Sequence, residues 1–113
     1  MNMEDFIEYL TRQTEAGRVD IARMEKEGCR DDGDFAKVRM NIYDVCKTVT
    51  NALINRPGAG AEAVKAQLLR FRSTWNTALE KAREHGDVRN IVVEETKLQA
   101  LEDVIAHFPE VEK

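Results

Sequence analysis

By type, the residues best suited to acid–base or metal chemistry are the two histidines, His85 and His107. Asp103 lies four residues before His107, a spacing that puts a carboxylate and an imidazole on one helix face, where they could hold a metal ion or exchange a proton. A simpler cause accounts for both histidines. His85 directly precedes Gly86 and His107 stands two before Pro109, so each falls in the last turn of a helix, where a partly cationic imidazole interacts favourably with the carbonyl end. That structural reading is the stronger one. No Glu is followed by His at the third position, as a di-iron carboxylate centre requires, and HExxH, GxSxG and a Gly-rich phosphate loop are absent from the sequence. No cofactor is expected.

Three other groupings carry weaker signals. Gly17 and Glu94 fall on helix seams where large apolar residues belong, and a bundle that sets the end of the first helix beside the start of the last would bring them together as a small polar-lined pocket. The alternative is a Gly that lets helices approach and a Glu that turns to the rim, because an unpaired buried carboxylate costs several kcal/mol. Arg70 and Arg72 flank Phe71, with Trp75 four residues on, which suits a basic and aromatic patch but equally suits a core helix whose long side chains run along its flanks. Cys29 and Cys46 are too far apart for a CxxC motif, and about twelve residues of helix between them would exceed the reach of a disulfide, so both are read as reduced thiols.

The elements that must position these residues are helical. Of 113 residues, 34% are charged, Gly numbers 6 and Pro only 2, a balance that starves a sheet of turns and suits long amphipathic helices. Apolar spacings of three and four predict helices over residues 2–27, 34–55, 60–85 and 88–108, with Asn2 and Asp87 as caps and Gly28 and Gly86 as stops. The stretch 29–34 reads as a turn, and Arg56-Pro57-Gly58-Ala59-Gly60 as an interhelical connection. Short connections make antiparallel neighbours the default, so the expected fold is a single all-α domain, an up-down-up-down four-helix bundle. Helical hairpins that complete the bundle by dimerising are the alternative.

The net charge of −4 disfavours a general nucleic-acid binder, and neither a signal peptide nor an apolar run of membrane length is evident, which points to a cytoplasmic protein. By segment the charge is uneven. Residues 1–27 carry −3 and 87–113 carry −4, whereas 34–58 and 59–86 carry +2 each, so a square bundle would have one acidic and one basic edge. The second helix bears a flanking stripe of Tyr43, Cys46, Thr50 and Leu53 beside its seam, and Tyr9, Leu69 and Val93 also lie off the seams. That surplus predicts a non-enzymatic protein working by helix-face association, chiefly as a homodimer and otherwise with another protein. The interaction surface would include Tyr9, Tyr43, Leu53, Leu69, Arg70, Arg72 and Val93. A small-ligand or metal-binding bundle, an enzyme included, using Glu94, Asp103 and His107 is the second reading, and nucleic-acid binding by the basic edge of the middle helices the third.

Overall fold

The structure, a computed structural model, describes residues 2–28, 30–55 and 60–109, with the backbone alone for 30–33. Cys29, most of the Arg56–Gly60 connection and the tail from Glu110 lie outside the described residues. Four helices follow in order: α1 (Met3–Lys26), α2 (Arg30–Leu53), α3 (Gly60–Glu84) and α4 (Val88–Ala106). The protein is an all-α four-helix bundle.

Local chemistry sets most of the ends. Asn2 caps α1 by accepting from the Asp5 N–H at 2.9 Å, while Asp5 accepts from the Asn2 N–H in return. Gly28 and Gly86 take positive φ of 78° and 64°, the left-handed step that stops α1 and α3. Behind Gly86 the Asp87 N–H reaches the Ala82 carbonyl, and the Asp87 side chain then accepts from the Asn90 N–H, so one residue closes α3 and opens α4. The expected turn over 29–34 is instead largely helical, since α2 starts at Arg30. Asp34, in the opening turns of α2, falls where the helix dipole favours an acid, so a composition that resembles a turn is compatible with helix.

Paired contacts give the packing. Glu25 meets Lys37 and Gly17 meets Met40, so α1 and α2 run antiparallel. Arg72–Glu102 and Lys97 over Trp75 make α3 and α4 antiparallel as well. Asp34–Arg89 and Tyr43–Asp103 show α2 and α4 side by side and parallel. In a square up-down-up-down bundle these two would lie across a diagonal. Here α2 packs more extensively on α4 than on α3, and α1 meets α4 only sparsely. The molecule is accordingly flattened, 46 × 35 × 19 Å, with a radius of gyration of 15.4 Å against about 13 Å for a compact chain of this length.

That arrangement makes α2 the central helix and explains a rotated seam. Ile42, Tyr43, Cys46 and Thr50 are its buried residues, whereas the expected seam residues Phe35, Val38, Val45 and Val49 are half-buried and Ala52 is exposed. The flanking stripe is thus core, because α2 must cover three neighbours. On α1, Phe6 is fully buried against Phe108, ring centroids 5.1 Å apart, although it stands off the seam through Met3, Ile7 and Leu10. The buried threonines satisfy themselves: Thr14 and Thr50 donate to the Leu10 and Cys46 carbonyls at 2.9 and 2.7 Å.

The same packing changes the charge picture. With its observed bounds α2 carries four basic and four acidic residues and is neutral, so acidic α1 and α4 lie on either side of it and α3 alone is basic. The ion pairs Glu25–Lys37 and Arg72–Glu102 join α1 to α2 and α3 to α4. The separated acidic and basic edges expected from a square bundle do not form.

Candidate functional site

The polar residues that stand out sit where α1, α2 and α4 converge. Tyr9 of α1 and Tyr43 of α2 both donate their hydroxyls to Oδ2 of Asp103 on α4, Tyr43 at 2.8 Å. The two phenol rings pack edge to face with centroids 6.3 Å apart. His107, one turn beyond Asp103, stacks on Tyr9 at 4.0 Å and 13° between planes. Its Nδ1 donates to the Asp103 carbonyl at 2.8 Å, as expected of an imidazole at a helix C-terminus. Since a carbonyl can only accept, Nδ1 carries a proton and Nε2 is the ring nitrogen left free.

Protonation in this knot follows from its hydrogen bonds. Burial by itself raises the Asp103 carboxyl, but the hydroxyls of Tyr9 and Tyr43 and the nearby His107 outweigh it and hold the group below its ordinary value. Burial first, and then the bond to Asp103, pushes Tyr43 up to about 12, and the same two causes raise Tyr9 further. At neutral pH the carboxylate is ionised and both phenols are neutral. Phenols held as donors are poor nucleophiles, and a carboxylate with two donors on one oxygen is a weak base, so the knot itself is not built for proton transfer.

Its outer side is different. Asp5, Tyr9, Arg12, Gln13 and His107 line an open cleft of about 520 Å³. The four α1 residues follow the i, i+4, i+7, i+8 rule for one helix face, and His107 closes the cleft from α4. Two smaller hollows exist. Lys65, Leu68, Leu69, Ile105, Phe108 and Pro109 border an apolar groove of about 230 Å³ between α3 and the end of α4. A crevice of about 130 Å³ between α1 and α2 runs past Gly17, Met40 and Tyr43.

The residues singled out from the sequence are redistributed accordingly. Gly17 and Glu94 do not form one pocket. A Cβ on Gly17 would point at Met40 of α2, 3.0 Å from its Cβ and Cγ, because α1 turns this face to α2 rather than to α4. Glu94 instead bonds Lys97 at 3.2 Å through Oε1, and Lys97 lies 4.9 Å over the Trp75 ring. Asp103 and His107 do come together, but the donors around the carboxylate are tyrosines, and no group of three or more His, Cys, Asp or Glu gathers among the described residues. Tyr9, Tyr43 and Leu53, expected on an outer interaction surface, pack on or within the core. Leu69 and Arg70 are exposed, Val93 is half-buried and Arg72 is engaged with Glu102 at 2.6 Å. Phe71 and Trp75 stack with parallel rings 5.0 Å apart at the core's edge. Cys46 is buried, which pushes its thiol up to about 12.

Arg12, Gln13 and Asp5 were not singled out from the sequence; their shared face was readable, but nothing local marked it as the wall of a cleft. No protein-family model, curated protein or solved structure matches the chain. Among the described residues no helix is long and apolar enough to cross a membrane.

Proposed function

We propose that the chain works by helix-face association, and that its partner is a second copy of itself. The observation that carries this reading is an excess of surface. The accessible area is 7379 Å², whereas a folded monomer of 12.9 kDa exposes about 6,300 Å². The surplus of roughly 1,100 Å² exceeds the ~800 Å² per partner that a stable interface covers. It follows from the flattened packing, which leaves α1 and α3 each covered on few sides.

The α2 stripe that first suggested a dimer is used up inside the fold, so the contact must lie elsewhere. The groove between α3 and the end of α4 fits best, because Leu69 is 40% exposed beside half-buried Ile105 and Phe108. The other large exposed apolar residues, Val19 on α1 and Val88 and Val92 at the start of α4, border none of the three hollows described. Size-exclusion chromatography with light scattering over a concentration series tests the proposal. The wild type should have twice the chain mass, and Leu69→Glu should have the mass of one chain with unchanged helical circular dichroism. A wild type that stays monomeric throughout, or a Leu69→Glu that stays dimeric, overturns the groove dimer.

A further inference from the structure

We propose that the cleft between α1 and the end of α4 binds a small zwitterion of the amino-acid or short-peptide class, its ammonium group facing Asp5 and His107 and its carboxylate facing Arg12 and Gln13. The volume of about 520 Å³ is in the range of small-ligand clefts. The choice of ligand follows from what the lining groups can give and take. Asp5 is an acceptor, and in the neutral form of the ring Nε2 of His107 is another, because Nδ1 is committed to the Asp103 carbonyl at 2.8 Å. Arg12 can only donate, and Gln13 can do either.

Two of the lining groups are held in advance. The His107 ring is fixed by its Nδ1 bond and by its 4.0 Å stack on Tyr9, whose own hydroxyl is tied to Asp103. A pre-positioned acceptor spares the ligand the cost of ordering it. Arg12 is available, since its tie to Glu8 is long at 3.9 Å and both side chains are about two-thirds exposed. A simple anion would meet Arg12 but also Asp5, Glu8 and the negative end of α4. A simple cation would meet the Arg12 guanidinium. Only a ligand carrying both charges satisfies each end of the cleft.

The test is an NMR titration of the intact, isotope-labelled protein with glycine and with glycylglycine, set against acetate and methylammonium as single-charge controls. At least one zwitterion should shift the Arg12, Gln13 and His107 signals saturably, at concentrations that would reveal a Kd of about 10 mM. The controls should act at least about tenfold more weakly, a difference of about 1.4 kcal/mol. Arg12→Gln, at an exposed position away from the core, should weaken binding by a similar factor. Which of glycine and glycylglycine binds more tightly separates free amino acids from peptides. The proposal is overturned if neither zwitterion gives a saturable shift, if acetate or methylammonium acts as strongly, or if Arg12→Gln binds as the wild type does. None of these outcomes bears on the mass measurement that tests dimerisation.

Discussion

Asp103 and Glu94 lie on the same helix, α4, yet their surroundings differ in kind. Asp103 has a side chain 45% exposed, but two tyrosines from two other helices donate to one of its oxygens. Glu94 is only 15% exposed; Lys97 from its own helix bonds Oε1, and Oε2 is shut off from solvent with no hydrogen-bond partner. The more exposed carboxylate is therefore the better satisfied. What a charged group contributes depends on the partners it organises, and burial alone makes it a cost. On that view the junction of α1, α2 and α4 is where the fold is specified, and the Glu94–Lys97–Trp75 corner is where it is tolerant.

The largest effect is expected at the junction. Asp103→Ala removes the acceptor of both tyrosines and should lower stability by about 2–3 kcal/mol, the usual cost of orphaned donors partly offset by solvent access. Tyr43→Phe should cost about 1 kcal/mol in the wild type and much less in Asp103→Ala, and urea denaturation of the four proteins measures the coupling. Additive losses would mean that the two groups do not act as one unit.

Acidity and alkalinity break the same knot from opposite sides. Asp103 titrates below its ordinary value in the fold, so the unfolded chain binds the extra proton; its stabilisation is full above about pH 4 and is lost as pH falls through the native value. The phenols are raised in the fold, so their stabilisation is full below about pH 10 and, for Tyr43, is lost as pH rises toward about 12. The chain has 2 tyrosines, both in the knot, so tyrosinate absorbance reads this site alone. Absorbance should rise together with unfolding. A phenol that ionises with the ordinary value in the folded protein would remove the knot from the specifying half of the comparison.

How much of this could be read beforehand depends on whether a feature is local. Asn2, Gly28, Gly86 and Asp87 act within a turn of themselves, so the helix ends they set follow from the sequence. The Asp103–His107 spacing is local as well, and both residues were legible as a pair. Their tyrosines stand 94 and 60 residues away from Asp103, and nothing in helical periodicity predicts which helices converge there. Phe6 escaped for the same reason, since its burial depends on the ends of α1 and α4 meeting. The α2 stripe was recognised as a broad apolar face, but whether such a face is covered by neighbours or by a second chain depends on packing order. That order is set by long-range contacts and is invisible to periodicity.

The tolerant corner predicts a smaller effect of opposite sign. Glu94→Leu removes a carboxyl group with one oxygen orphaned, adds apolar surface near the Lys97–Trp75 contact and leaves Lys97 its place over the ring. Stability should rise by up to about 1 kcal/mol, with chemical denaturation as the measurement. A loss of more than about 1 kcal/mol would show that the Glu94–Lys97 pair organises its surroundings as Asp103 does, and the contrast between the two carboxylates would fail.

The smallest effect is expected at Gly17, which is neither knot nor corner but the point where α1 rests on α2. Ala in place of a mid-helix Gly gains about 1 kcal/mol of helix propensity. Its Cβ would sit 3.0 Å from the Cβ and Cγ of Met40, tight enough that something must give by a few tenths of an ångström. Met40 Cγ can swing into the crevice of about 130 Å³ beside it, but Met40 Cβ moves only with the α2 backbone. The gain and the strain are of similar size, so Gly17→Ala should unfold within about 1 kcal/mol of the wild type. A loss of more than about 2 kcal/mol would mean that the α1–α2 contact cannot yield and is as strictly specified as the tyrosine–aspartate junction. A full gain of about 1 kcal/mol would mean that α1 shifts freely on α2, and that the hydrogen bond of Tyr9 to Asp103 and the Phe6–Phe108 contact set its position.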